Sequence, residues 1–131
     1  MSEFLRNFEA GYRQVIGAFN AGDLDTVFAG IPEEIEFHVP AQVGEGPFRG
    51  RDRWRAFVER MRDRHPDWRV EPLEFSEPRE GIVLIRTEVS GSQSLPVSGE
   101  VWQVWEFEGG VVKRVRELTD RAEAATAARG G

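Results

Sequence analysis

The sequence of 131 residues contains no cysteine and only two histidines. The absence of cysteine excludes disulfide bonds, thiolate metal sites and cysteine nucleophiles. His38 and His65 lie 27 positions apart and have no partners at a recognised zinc-ligand spacing. We therefore expect a protein that uses no metal and no cofactor.

Long apolar runs are also absent. No stretch of about 18 consecutive apolar residues is present, so the sequence predicts no transmembrane helix. The segment from Met1 to Asn7 lacks the basic region, the apolar run and the cleavage site of a signal peptide. We expect a cytoplasmic protein that does not bind membranes.

Positive charge is in the minority, because 17 basic residues face 23 acidic ones and the formal net charge is −6. This balance argues against binding to nucleic acid. The exception is the segment 49–69, which carries eight arginines and four acidic residues. It is either an anion-binding patch or the solvated face of a helix. The spacing of Arg55 and Glu59, four residues apart, favours the solvated helix.

The chain is long enough for one domain with a core, and its N-terminal half predicts helices. Apolar residues recur at spacings of three and four over residues 3–21, which indicates an amphipathic helix. Asp23 is placed to cap a short second helix, and Pro66 ends a third helix predicted over residues 51–64. Between them, residues 35–39 alternate as a strand does, and residues 41–50 form a loop.

The C-terminal half predicts strands at about 69–76, 81–90, 97–107 and 111–119. Helices followed by antiparallel strands form an α+β pattern. We expect a single domain over residues 1–131, with the alanine-rich residues 121–131 as a loosely attached helical tail.

The last two strands form a hairpin around Gly109–Gly110 and carry two polar residues on a face that is otherwise apolar. Gln103 alternates in phase with Trp105, and Glu117 alternates in phase with Val115. Polar groups on a core-facing surface predict a lined cavity. Two other interpretations stay open: Glu117 pairs with an arginine such as Arg13 or lies in water, and Gln103 is a hydrogen-bonded core amide.

Three segments resemble the SnoaL-like branch of the NTF2-like superfamily. They are the helix junction Asn20–Asp25, the aromatic–Arg–Gly segment Phe48–Asp52, and the closing strand Gly110–Leu118. The resemblance implies a cone in which a curved antiparallel sheet packs around three N-terminal helices and leaves a pocket open at one end.

The resemblance also allows the family's chemistries to be compared residue by residue. In ketosteroid isomerases, the position of the base falls here on Val39, and that of the oxyanion tyrosine falls on Val15, one turn after Tyr12. Limonene-type epoxide hydrolases need an Asp–Arg–Asp set, but Arg86 turns outward. SnoaL-like polyketide cyclases need chiefly one acid/base group, and Glu117 stands where they carry an aspartate.

We therefore predict Glu117 and Gln103 as the catalytic pair in a pocket for a small apolar molecule. Burial would raise the pKa of Glu117 towards neutrality, where a carboxyl group exchanges protons with carbon acids. The predicted pocket wall consists of Tyr12, Val15, Phe19, Val39, Phe57, Met61, Ile85, Thr87, Trp105, Val115 and Thr119.

Three functions remain open. The first is a cofactor-independent acid/base enzyme of cyclase or isomerase type that acts on a carbonyl compound. The second is a non-catalytic binder of a hydrophobic ligand, and the third is a dimerisation module. Trp102 lies on the opposite face from Gln103, and an exposed tryptophan there would indicate a homodimer through the outer sheet face.

Overall fold

The computed structural model describes residues 2–130, which form four α-helices and six strands. The helices are α1 (Glu3–Asn20), α2 (Leu24–Ala29), α3 (Arg51–Arg64) and α4 (Arg121–Ala128). The strands are β1 (Glu36–His38), β2 (Phe48–Arg49), β3 (Arg69–Arg79), β4 (Ile82–Ser90), β5 (Gly99–Glu108) and β6 (Val111–Leu118). The predicted α+β class is confirmed.

The six strands form one curved open sheet in the order β2-β1-β6-β5-β4-β3. All neighbouring strands are antiparallel except β1 and β6, which pair in parallel, with Phe37 opposite Val115. The expected wholly antiparallel sheet is thus corrected to a mixed one. The difference arises because the chain enters the sheet at β1 and returns to that edge only after β3, β4 and β5 have formed the meander.

Strand β2 lies within the segment that the sequence predicts as a loop. Phe48 and Arg49 pair with Phe37 and Glu36 of β1. Two residues are too few to display the alternation by which a strand is recognised. The pairing sets the aromatic ring of Phe48 on that of Phe57, with centroids 4.7 Å apart.

Helix α1 lies against the inner face of the sheet and is fixed at both ends. The Ser2 hydroxyl caps it by accepting a hydrogen bond from the Leu5 backbone N–H at 3.0 Å. At the other end, the Asn20 side-chain amide donates to the Val70 carbonyl at 2.8 Å and accepts from the Val70 N–H at 3.0 Å. This double hydrogen bond ties α1 to strand β3, and it holds the buried side of the helix over the sheet.

The core lies between the helices and the inner sheet face. The strands contribute side chains with almost no exposed surface, including Val83, Ile85 and Val115. Helix α3 adds Trp54, whose ring stacks on Phe37 at 4.2 Å. The same inner face carries the predicted polar pair, because the β5–β6 register places Gln103 directly opposite Glu117.

Helix α4 packs on the outer face of the sheet, although the sequence predicts a loosely attached tail. Ala124, Ala127 and Ala128 are buried, and the last two lie in an apolar cluster with Ile82 and Val104. Alanine gives a small apolar surface, but it also lets a helix approach a sheet closely. The prediction of weak docking considered only the first of these effects and is corrected.

The outer sheet face does not expose the tryptophan that would have indicated a subunit interface. Trp102 is only 8% exposed within the single chain. The exposure that would have indicated a homodimer is absent, and the homodimer stays a prediction.

The arginine-rich segment is largely paired on the protein surface. Arg55 binds Asp25 at 2.6 Å and Glu59 at 2.9 Å, and Arg60 binds Glu45 at 2.6 Å. These pairs agree with a solvated helix face. Within residues 2–130, no helix has the length and apolarity needed to cross a bilayer.

Candidate functional site

The inner face of the β5–β6 hairpin carries a hydrogen-bonded network centred on Gln103. The Tyr12 hydroxyl and the Trp105 indole N–H both donate to Gln103 Oε1, each at 2.9 Å. Gln103 Nε2 donates to Glu117 Oε2 at 2.8 Å. Because an indole N–H can only donate, the amide oxygen of Gln103 must face Trp105 and its NH₂ group must face Glu117.

Three elements position this network. Tyr12 projects from the buried side of α1 and is 5% exposed. Gln103 and Trp105 are two residues apart on β5, so they share the inner face. Glu117 reaches the same face from β6 through its direct pairing with Gln103. The contacts join a helix to two strands, and Tyr12 and Gln103 are 91 positions apart in the chain.

The Glu117 side chain is largely surrounded by protein, and this burial raises the pKa of its carboxyl group from 4.5 to about 7. The hydrogen bond from Gln103 opposes this rise by favouring the ionised form. Burial also raises the pKa of Tyr12, and the nearby Glu117 adds to the rise. Tyr12 therefore remains a protonated donor throughout the neutral range.

No arginine pairs with Glu117 within the described part of the chain. Arg13, the partner considered from the sequence, instead binds Glu9 at 3.0 Å. The second carboxyl oxygen, Glu117 Oε1, receives no hydrogen bond from residues 2–130. Glu117 keeps some accessible surface and lines two cavities, so this oxygen is available to a bound molecule.

The first cavity has a volume of about 80 Å³ and lies between the helices and the sheet. Among the described residues, the polar side chains in its wall are Tyr12, Gln103, Glu117 and the tryptophans with their ring nitrogens. Eight aromatic residues make up half of the wall: Tyr12, Phe19, Phe28, Phe37, Trp54, Phe57, Trp68 and Trp105.

The second cavity measures about 40 Å³ and adjoins the first. The two share Phe57, Trp68, Val70, Gln103 and Glu117 in their walls. Glu117 and Gln103 therefore lie where the two spaces meet. Of the described residues that line either cavity, none is lysine, arginine or histidine.

Seven of the predicted wall residues line a cavity. Those in the first cavity are Tyr12, Val15, Phe19, Phe57 and Trp105, and Phe57 also borders the second, together with Val39 and Met61. The register of the strands therefore identified the correct face of the sheet, and the stripe of α1 identified the correct side of that helix.

Four predicted wall residues line neither cavity. Ile85, Thr87 and Val115 have no exposed surface and lie beneath other side chains. The Thr87 hydroxyl donates to the Val101 carbonyl at 2.8 Å, which satisfies it inside the sheet. Thr119, beyond the end of β6, accepts a hydrogen bond from Gln42 at 3.0 Å. Strand alternation gives the face on which a side chain lies but not its depth below the surface.

Several wall residues were not predicted. Phe28 of α2, Phe37 of β1 and Trp54 of α3 line the first cavity, and Leu95 to Val97 of the β4–β5 loop line the second. The alternation of Ile35, Phe37 and Val39 in the sequence could have identified Phe37 as a wall residue. The loop has no periodic pattern, so its contribution is visible only in three dimensions.

His65 is a buried polar residue at the end of α3. It is 7% exposed, and its Nδ1 atom lies 3.0 Å from the Ser92 hydroxyl and 3.2 Å from the Ser94 hydroxyl. These bonds attach the end of α3 to the β4–β5 loop. His38, in contrast, contacts Glu36 on the outer side of β1.

The model of the SnoaL-like domain family matches residues 12–115. This chain belongs to the SnoaL-like domain family. The match includes Tyr12 and Gln103 and ends two residues before Glu117. The predicted resemblance is confirmed.

Solved structures support the fold of this SnoaL-like domain. Bal32a, from a soil-derived mobile gene cassette, is 21% identical over 94% of this chain and 96% of its own, with a TM-score of 0.74. An NTF2-like protein of unknown function from Burkholderia pseudomallei K96243 is 22% identical over 96% and 97%, with a TM-score of 0.69. The predicted NTF2-like architecture is thereby confirmed.

A third structure is that of IdmH from Streptomyces antibioticus, whose proposed activity is that of a polyketide cyclase. It is 17% identical over 94% of this chain and 98% of its own, with a TM-score of 0.67. No curated protein matches this SnoaL-like domain. At these identities the similarity establishes the fold, and the fold alone does not determine the chemistry.

Proposed function

We propose that this SnoaL-like domain binds a small apolar molecule in its cavity, and that Glu117 serves as an acid/base group on a carbonyl compound. The observation that carries the proposal is the Glu117 carboxyl group. It lies among aromatic and aliphatic walls, one oxygen accepts a hydrogen bond from Gln103, and the other oxygen has no partner among residues 2–130. No cofactor is needed for this chemistry.

The proposed reaction begins with proton transfer from carbon. The carboxylate of Glu117 removes a proton from the carbon next to the carbonyl group, and the electron pair of the C–H bond moves onto the oxygen to form an enolate. The second N–H of Gln103 donates to that oxygen. Glu117 then returns its proton, either to another carbon, as in an isomerase, or to the alkoxide formed when the enolate attacks a second carbonyl, as in a cyclase.

Two properties of the site suit this role. A pKa of about 7 lets Glu117 be populated in both protonation states at neutral pH, which is the condition for efficient general acid–base catalysis. The fixed orientation of the Gln103 amide keeps its NH₂ group on the side of Glu117. The shared fold of IdmH adds support by analogy.

Exchange of carbon-bound hydrogen tests this function directly. We expect the protein to accelerate the replacement of the α-hydrogens of cyclohexanone by deuterium in D₂O, followed by NMR. Glu117→Gln should lower the catalysed rate about 100-fold or more, since general acid–base groups contribute at least that much. Glu88→Gln, on the outward side of β4, serves as the matched control. Equal rates in both variants would refute the catalytic role.

The alternative is a non-catalytic module that binds a hydrophobic ligand or forms a dimer. One observation favours binding without chemistry: the Tyr12 hydroxyl, the Trp105 N–H and the Gln103 amide already satisfy one another. If this alternative holds, the protein binds a ligand in the cavity but does not accelerate the exchange of cyclohexanone hydrogens. The Glu117→Gln variant then binds the same ligand.

The homodimer belongs to the same proposal. The outer face beyond α4 carries Glu36, His38 and Arg114, and Arg114 donates to Glu106 through Nε and Nη2. In a dimer with two-fold symmetry, this face of one protomer packs against the same face of its partner, so that acidic groups of one meet basic groups of the other. Native mass spectrometry is expected to show a dimer, and a monomer at micromolar concentration would contradict it.

A further inference from the structure

We infer that the same cavity accepts a small apolar amine in its protonated form, held by the ionised Glu117 carboxylate and by the aromatic walls. The inference rests on the proposed function in one respect, since it requires that the cavity be open to ligands. It concerns the charge of the ligand and is independent of proton transfer to or from carbon.

The charges around the cavity are one-sided. Glu117 is the single acidic residue in the walls, and the walls contain no lysine, arginine or histidine among the described residues. The titratable group that faces Glu117 from the elements packed on it is the Tyr12 hydroxyl, which stays neutral. A buried carboxylate without a counter-ion is unfavourable, and a cationic ligand would supply that counter-ion.

One cationic side chain, that of Arg62, lies behind the wall. The guanidinium group of Arg62 is 4.8 Å from the centre of the Phe19 ring and donates to the Trp68 carbonyl at 3.3 Å. It is absent from the residues that line either cavity. Arg62 therefore leaves the free oxygen of Glu117 without a cation.

The walls also suit an organic cation. The faces of tryptophan, tyrosine and phenylalanine rings carry negative electrostatic potential and attract ammonium groups. Half of the residues around the first cavity are aromatic, and they surround the space that Glu117 enters. An apolar amine can thus place its hydrocarbon part against the aliphatic walls and its ammonium group between Glu117 and the rings. Carboxylates and phosphates find no cationic partner among the described residues of these walls.

The volume restricts the size of the ligand. The two adjoining cavities measure about 80 and 40 Å³, and an apolar cavity of about 150 Å³ holds a benzene molecule. Together the two spaces fall somewhat short of that volume, so a single ring is the upper limit for the ligand. Cyclohexylammonium and cyclohexanol are a matched pair of this size, because they differ chiefly in charge.

The two ligands should respond to pH in different ways. Cyclohexylammonium keeps its charge up to about pH 10, like the amine of lysine. Its binding should strengthen about tenfold between pH 6 and pH 8, where Glu117 loses its proton. Cyclohexanol needs no charge on Glu117, so its affinity should stay constant or fall slightly over the same interval.

Calorimetric titration of the full chain with each ligand tests the inference. We expect Glu117→Gln to lose at least tenfold in affinity for cyclohexylammonium and to retain cyclohexanol, which also shows that the variant is folded. Glu88→Gln should bind both ligands as the unaltered protein does.

Three outcomes would overturn the inference. If cyclohexanol binds and cyclohexylammonium does not, the site rejects cations while the proposed apolar pocket stands. If cyclohexylammonium binds equally well to Glu117→Gln, the carboxylate does not hold it. If neither ligand binds, both this inference and the proposed ligand-binding function fail. Loss of the cyclohexanone exchange alone refutes catalysis and leaves the amine site intact.

Discussion

Gln103 is the residue on which the geometry of the site depends. Its oxygen accepts from Tyr12 and Trp105, and its nitrogen donates to Glu117. Without Gln103, the Glu117 side chain would be free to rotate, and Tyr12, Trp105 and Glu117 would each lose a hydrogen bond. The role of Gln103 in the structure is therefore to hold Glu117 with one oxygen directed to the cavity.

The raised pKa of Glu117 has a consequence for stability. The folded protein keeps the proton up to about pH 7, whereas the unfolded chain releases it near 4.5. Between these values the folded state binds more protons, so the free energy of unfolding falls as the pH rises. The expected fall is about 3 kcal/mol, and it ends above pH 7.

Urea denaturation of the protein and of Glu117→Gln across this range checks the prediction. The variant cannot ionise at this position and still accepts the hydrogen bond from Gln103. Between pH 4.5 and pH 7.5, the free energy of unfolding of the variant should therefore rise by about 3 kcal/mol relative to that of the unaltered protein. A constant difference between the two proteins would mean that Glu117 titrates normally.

At the scale of elements, the wall of the second cavity depends on the connection between α3 and the β4–β5 loop. His65 contacts Ser92 and Ser94, and the following residues Leu95 to Val97 border the cavity. Leu95 is buried, so the loop folds back onto the core and does not extend into solvent. The position of this wall thus rests on a few polar contacts and one apolar anchor.

Removing the histidine should loosen that wall. His65→Leu keeps an apolar group of similar size but lacks the partner of the two serine hydroxyls. We expect amide hydrogen exchange at residues 91–98 to become roughly tenfold faster, corresponding to about 1.4 kcal/mol, while the strands exchange as before. His38→Leu on the outer side of β1 is the control. Unchanged exchange in the loop would show that Leu95 alone holds it.

Elements with a strong period were predictable from the sequence, and those without one were not. The apolar stripe of α1 and the alternation of β4 to β6 predicted both the elements and the inner face that carries Glu117. The two residues of β2 and the cavity-lining loop gave no such signal, because their positions follow from pairing and packing with distant segments. For the same reason, the sequence could not predict that Ile85 and Val115 are buried beneath the cavity wall.

At the scale of the whole molecule, the sheet has an apolar interface on each of its two faces. The inner face forms the cavity with α1, α2 and α3, while α4 covers part of the outer face through Ala127 and Ala128. Arg79 donates to the Arg129 carbonyl at 2.9 Å and fastens the end of α4 to β3. The composition of the tail predicted a helix. Its docking depends on the close fit of small side chains, which composition does not encode.

A charge placed under α4 tests whether this helix is a structural part of the domain. Ala127→Glu puts a carboxylate against Ile82 and Val104 and should lower the free energy of unfolding by roughly 3 kcal/mol. Thr126→Glu, on the exposed side of the same helix, should change it by less than about 0.5 kcal/mol. Thermal or urea denaturation gives both values, and equal effects would show that α4 does not contribute to stability.

The central claim is that Glu117 is an enclosed carboxyl group that titrates near neutrality and faces a cavity. NMR titration of the glutamate side-chain carboxyl carbons, with Glu117→Gln used for assignment, measures this property. The structure predicts one carboxyl signal with a midpoint at about pH 7, which is absent from the variant. If the Glu117 signal instead titrates near 4.5, the carboxyl group lies in water, and both the acid/base proposal and the pH-dependent binding of an amine are contradicted.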